Sequence, residues 1–178
     1  DGPVLFVEHK ILYNTDICFT YPQVDDGTAN GDLTCTAAPS PPGAPAYLLT
    51  VRHGEPARLT IATYGYGAEL ARQALVRLAY EFEVFAEVVV ISQLAPCDMA
   101  AINSSIRRTG RLLTLEEGTR TLGWGAEVLA RTLESGDVRA AVRLAADDVA
   151  LPAAGPLELA VLPGVDDLVK AAAELSAR

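Results

Sequence analysis

From residue 46 onward the hydrophobic residues change period repeatedly, from about two to about 3.6 and back, and this alternation constrains the fold more than any other feature. Residues 46–52 (AYLLTVR) and 58–64 (RLTIATY) are strand-like, and only Gly54-Glu55-Pro56 and their neighbours separate them. That gap is too short for a crossover, so it predicts an antiparallel hairpin with 46–52 at the sheet edge. In 67–82, Ala71, Ala74, Leu75, Leu78 and Phe82 recur at helical spacing, while Glu69, Arg72, Gln73 and Arg77 lie off that stripe. Strand 84–91 follows. Asp98 then opens a helix through Arg108 that Gly110 stops, and 111–115 returns to strand. Helix 124–134, strand 138–145 and a closing amphipathic helix 166–175, after the breakers Pro163 and Gly164, complete the series. Strands separated by helices require parallel crossovers. The expected fold is a three-layer α/β/α domain whose five-stranded sheet is mostly parallel, with one antiparallel strand.

Length and charge bound the rest. With 178 residues, 50% hydrophobic and 21% charged, the chain suits one core. A net charge of -9 opposes a nucleic-acid or anionic-membrane partner, because such footprints are basic. No apolar run approaches the ~18 residues of a membrane span, and no signal-like segment opens the chain, so a cytoplasmic location is expected. Cys18, Cys35 and Cys97 are odd in number and widely spaced, which fits reduced thiols. With only His9 and His53 to join them, no metal site is expected. The chain opens on Asp1 and a strand-like run from Val4 to Val7, as a piece of something longer would.

Seven of the eleven prolines fall within residues 1–57. Residues 15–45, which include DDGTANGD and PSPPGAP, have no apolar period and many turn formers, so they are expected to be a solvated linker.

Two segments echo each other. RLTIATYGYGAELARQAL (58–75) and RLLTLEEG…GWGAEVLARTL (111–133) both run from strand through GxGAE into helix. Gly65, Gly67, Gly123 and Gly125 could admit a phosphate to a helix N-terminus. The third glycine of a dinucleotide fingerprint is replaced by Leu70 and Val128, and Glu69 and Glu127 put negative charge in the first turn. Tight strand–helix packing is the alternative reading. Glu116 and Glu117 end a parallel strand, at the edge where ligand sites of α/β sheets gather, and either could be a general base if its pKa were raised. Interface or helix-terminus electrostatics is the competing role. Arg120 and Trp124 on the same loop suit a subunit contact, since both types are enriched at hot spots, and a core tryptophan is equally admissible. With no G-x-S-x-G elbow and two histidines, nucleophilic catalysis has little support.

The ordered segments resemble a known family. DGPVLFVEHKILYN (1–14) resembles the final strand and exit of the pyrimidine-binding domain in beta subunits of thiamine-diphosphate-dependent 2-oxo acid dehydrogenases. LTIATYGYGAELARQAL, TGRLLTLEEGTRTLGWGAEVLARTL and PAAGPLELAVLPGVDDLVKAAAEL resemble landmarks of the transketolase C-terminal-like domain that follows it. The resemblance covers 1–14 and about 46–176. It implies a remnant of the preceding domain at 1–14, a linker at 15–45 and the C-terminal domain at 46–178, with a five-stranded mixed sheet. It also implies a parent enzyme using thiamine diphosphate and magnesium on other domains, so that no catalytic, cofactor or metal residue carries over. The expected role is non-catalytic, homo-oligomeric assembly and contact with other subunits or an acyltransferase core, and the residues Glu116, Glu117, Arg120, Gly123, Trp124 and Gly125 are the candidate interface or ligand loop. An independent ligand- or nucleotide-binding module on the same fold is the alternative. Where the family carries an acidic residue, a hydrophobe and Arg before a Leu-x-Pro-x-Asp turn, this chain has Val90, Ile91 and Ser92 before Leu94-Ala95-Pro96-Cys97-Asp98.

Overall fold

A computed structural model describes residues 3–14, 32–38, 44–52 and 54–178. After a short 3-10 turn at Lys10–Asn14, the chain forms β1 (Leu33–Ala38), β2 (Ala46–Val51), β3 (Leu59–Thr63), α1 (Gly67–Phe82), β4 (Ala86–Val90) and α2 (Ala100–Thr109). It continues with β5 (Arg111–Thr119), α3 (Trp124–Ser135), β6 (Ala140–Ala146), α4 (Gly155–Val161) and α5 (Val165–Ser176). One sheet holds all six strands in the order β1-β2-β4-β3-β5-β6. β4, β3, β5 and β6 are parallel, and β2 runs antiparallel to both of its neighbours. It alone runs against the other five.

The helices flank the sheet as the periodicity predicts. Ala71, Ala74, Leu75 and Leu78 of α1 and Leu168, Ala172 and Leu175 of α5 pack on one face, against Leu59, Ile61, Val88, Leu113 and Leu115. On the other face Ile102 and Ile106 of α2 and Val128 of α3 cover Ala62, Val89 and Leu112. β3 and β4 are buried along their whole length, as expected of strands covered on both faces. Truncating a fully buried residue such as Ile106 to Ala would cost roughly 2–5 kcal/mol. α2 is also held by hydroxyls in this interior: Thr60 Oγ1 lies 2.7 Å from Ser105 Oγ and 2.8 Å from Thr109 Oγ1. Its ends match their residues, since Asp98 Oδ1 accepts the Ala100 N–H at 2.8 Å and Gly110 closes the helix at φ 68°.

Three expectations need correction. The sheet has six strands rather than five, because β1 lies inside the stretch expected to be linker. Its six residues pair with β2 in continuous register from Leu33↔Val51 to Ala38↔Ala46. With β1 outside it, β2 is not an edge strand. The hairpin between residues 46–52 and 58–64 does not form either: β2 pairs with β4, and β3 sits beyond β4. The connecting residues instead cross the amino end of β4, where the Arg58 N–H donates to the Phe85 carbonyl at 2.8 Å. A Cβ on Gly54 would stand 2.7 Å from the Phe85 ring. A short connection implied adjacency, but β3 already has parallel partners on both sides. Cys18 and His53 lie outside the described residues, as does most of 15–45.

Candidate functional site

Neighbouring strands β3 and β5 send their chains in opposite directions, through α1 on one face to β4 and through α3 on the other face to β6. Their carboxyl ends therefore form the topological switch point, the crevice where doubly wound sheets bind ligands. Tyr64, Tyr66 and Gly67 lie at this crevice on one side and Glu116, Glu117, Gly123, Trp124 and Gly125 on the other. The structure thus brings together the two glycine turns and the paired glutamates singled out in the sequence. Cavities of about 260 Å³ between β2 and α2 and about 300 Å³ at the amino end of β4 lie elsewhere.

Glu116 and Glu117 belong to β5, which runs four residues past the expected end at Leu115. Pairing with β6 is irregular there, stepping from Leu115↔Leu144 to Thr119↔Ala146. Glu116 is 2% exposed. Its Oε2 accepts the Trp124 N–H and its Oε1 the Gly125 N–H, both at 2.8 Å. These are orphan donors of the first turn of α3, so the chain supplies its own anion where a phosphate would otherwise sit. Burial pushes the Glu116 carboxyl above the usual carboxylate range, and the Gly125 and Trp124 N–H groups and Arg143 only partly oppose this. A raised pKa is a property of general bases, but both oxygens here face backbone donors, which makes Glu116 a helix cap.

That cap explains the glycines. A Cβ on Gly123 would lie 2.4 Å from the Thr119 carbonyl and 2.6 Å from Glu116 Oε1, and one on Gly125 would lie 2.5 Å from Thr114 Oγ1. In the first repeat a Cβ on Gly67 would lie 2.1 Å from Thr63 Oγ1, whose hydroxyl donates to the Leu115 carbonyl at 2.8 Å. Close strand–helix approach therefore accounts for the GxGAE echo. Its glutamates act within their own helices. Glu69 accepts from Arg72 Nε and Nη2, both at 2.7 Å, and from Gln73 at 2.8 Å, and Glu127 accepts from Arg131 at 2.6 Å. The Arg72 hydrogen bond holds the Glu69 carboxyl below its usual range.

Glu117 turns the other way. His9 Nε2 lies 3.2 Å from its Oε1 and 3.0 Å from its Oε2, and the imidazole stacks on Tyr66 at 5.3 Å and 23°. Nothing in the residue order joins His9 to this loop, since 108 positions separate it from Glu117. Tyr64 meets Trp124 edge-on at 5.3 Å, and burial, reinforced by Glu116 and Glu117, pushes its phenol pKa up. Trp124 is half-buried and packs on the α2/α3 side of the core. Cys97 is buried nearby, and burial raises its thiol pKa.

Beyond the crevice the loop becomes an apolar surface. The Arg120 N–H donates to the Ala146 carbonyl at 3.0 Å, and Thr121 binds Asp148 through its N–H at 2.9 Å and its hydroxyl at 2.7 Å. These bonds present Leu122, with φ 58° and 97% exposed. A leucine in the left-handed region with nothing to cover it is costly on both counts. Val149, Leu151, Leu157 and Leu159 are also exposed, and α4 contributes no buried residue. The extended run Val4–Val7 is exposed as well.

The residues present do not fit thiamine diphosphate. Carboxylates stand at both glycine turns, and among the described residues no three His, Cys, Asp or Glu side chains gather as a metal site.

Comparison with known proteins identifies the fold's lineage. The chain is 32% identical over 176 residues to the mitochondrial pyruvate dehydrogenase E1 component subunit beta-1 of Arabidopsis thaliana, covering 95% of this chain and 43% of that protein. It is 33% identical over 174 residues to the mitochondrial pyruvate dehydrogenase E1 component subunit beta of Drosophila melanogaster, covering 95% and 43%. It thus spans less than half the length of these relatives. The solved inactive beta4 tetramer of a split-gene transketolase matches with a TM-score of 0.61 and 27% identity over 70% of this chain and 41% of that one. The expected cytoplasmic location is corrected by these relatives, which are mitochondrial proteins; a missing leader in a partial span carried no information about compartment. The family described as "Transketolase, C-terminal domain" matches residues 49–168. Together with the mixed sheet and its helices, that match shows that the chain belongs to the transketolase C-terminal domain family.

Proposed function

We propose that this chain is a non-catalytic assembly domain of a thiamine-diphosphate-dependent 2-oxo acid dehydrogenase beta subunit or a transketolase-like enzyme. The observation that supports the reading is the number of large apolar side chains left exposed at this end of the domain, Leu122, Val149, Leu151, Leu157 and Leu159, which a lone domain has no reason to keep in water. Its partners are a second copy and the other subunits of the parent enzyme, with an acyltransferase core a further candidate. Two features support a non-catalytic role. Glu116 is committed to the α3 backbone, and the helix starts that would attract a diphosphate carry acidic side chains. The same features weigh against an independent nucleotide-binding module. Thiamine diphosphate and magnesium act on the parent's other domains.

Isothermal titration with thiamine diphosphate and magnesium tests this reading, together with an assay for 2-oxo acid decarboxylation. No heat of binding in the micromolar range and no turnover are expected. Micromolar binding, or turnover abolished by Glu116→Ala, would overturn the reading and make the crevice an active site.

A further inference from the structure

We infer that His9 and Glu117 form an intrachain clamp that seats residues 3–14 on the switch-point crevice, making this edge of the sheet a docking face for the chain's own upstream segment. Most of its residues are exposed, and His9 and Leu12 are the partly buried ones among those described. His9 is gripped from two directions, by the Glu117 carboxylate at 3.0 Å and by the Tyr66 ring in stacked contact. His9 and Glu117 side chains are each only 34% exposed, so the pair is partly shielded from solvent.

The carboxylate sets the direction of the hydrogen bond. A carboxylate only accepts, so Nε2 must carry a proton and donate to Glu117. Nδ1 is buried without a hydrogen-bond partner, so Nε2 is the ring's polar hold. The two glutamates of β5 thus divide the crevice. Glu116 satisfies the start of α3, and Glu117 holds the segment that arrives beside α1 at Tyr66. The inference is independent of the assembly reading, because it concerns a contact within one chain.

Hydrogen exchange on the full chain tests it. The Leu12 N–H, which donates to the His9 carbonyl at 3.0 Å, reports directly on the seat. His9→Ala and Glu117→Gln should each speed exchange at residues 9–13 by about three- to tenfold, the range of one partly shielded hydrogen bond with a stacked ring. The double variant should exceed the larger single effect by no more than about twofold, because both changes break one contact. Glu117→Asp should fall between wild type and Glu117→Gln, and amides in β3 and α1 should not change. His9 lies outside the sheet, so His9→Ala leaves the fold intact. Unchanged exchange at Leu12, additive effects in the double variant, or equal acceleration in β3 would each overturn the clamp.

Discussion

Glu116→Ala is the sharpest perturbation, because one side chain serves two backbone donors and stands where a Cβ on Gly118, Gly123 or Gly125 would go. The substitution removes both 2.8 Å bonds. The Gly125 N–H is buried and stays unpaired, while half-buried Trp124 leaves its N–H some access to water. The buried Gly125 donor left without a partner costs roughly 1–3 kcal/mol, and the bond lost at water-accessible Trp124 about 1 kcal/mol, so the total is about 2–4 kcal/mol. For a chain of this size about 1 kcal/mol moves Tm by about 2–4 °C, so differential scanning calorimetry should show Tm falling by roughly 5–15 °C. Glu116→Gln keeps one acceptor oxygen and should cost less than half as much. The pH dependence has a definite sign. The folded carboxyl binds its proton more tightly than the unfolded one, so its contribution is fully present below the unfolded value. That contribution is lost as pH rises through the raised folded pKa. The stability of wild type relative to Glu116→Gln should therefore decline with rising pH across that window. A Tm change under 2 °C for Glu116→Ala would refute the cap, and a wild-type advantage that grows with pH there would refute the dominance of burial over the two N–H bonds in setting the carboxyl pKa.

Gly125→Ala should destabilise by about 1–3 kcal/mol through overpacking against Thr114 and Glu116, measured by urea denaturation. Gly67→Ala should do the same, and Thr63→Ala should partly relieve it, so the double variant should be less damaged than the two single effects predict. Cys97 is buried with its thiol pKa raised, so it should react with iodoacetamide much more slowly than the same thiol in urea. Arg72→Ala removes the hydrogen bond that lowers the Glu69 carboxyl pKa. Glu69 stabilises above its unfolded pKa and loses that contribution as pH falls through the folded value, so the variant should have a shallower acid limb in pH-dependent unfolding.

The legible parts of the fold were those where one physical signal dominates. The α1 stripe of Ala71, Ala74, Leu75 and Leu78 marked a helix whose limits match 67–82, and the apolar runs around Ile61 and Val88 marked strands covered on both faces. β1 was hidden because LTCTAA is short, uncharged and set among turn formers, and its place depends on the distant partner β2. The order β2-β4-β3 was hidden for the same reason: loop length suggested adjacency, whereas partner choice was decided by tertiary packing. Within the site, the glycine echo pointed to a close approach, but only the fold showed that Glu116 is the group being approached. Leu122 carried no signal of its own, since exposure and positive φ cannot be seen in a residue name.

Sedimentation velocity over a wide concentration range tests the assembly claim most directly, comparing wild type with Leu157→Asp/Leu159→Asp. Both leucines are exposed on a helix with no buried residue, so the substitutions should leave Tm nearly unchanged. Wild type should shift from monomer to dimer or larger species as concentration rises, and the variant should stay monomeric through the same range. A wild-type chain that remains strictly monomeric at high concentration, or a variant that associates as strongly as wild type, would contradict the account.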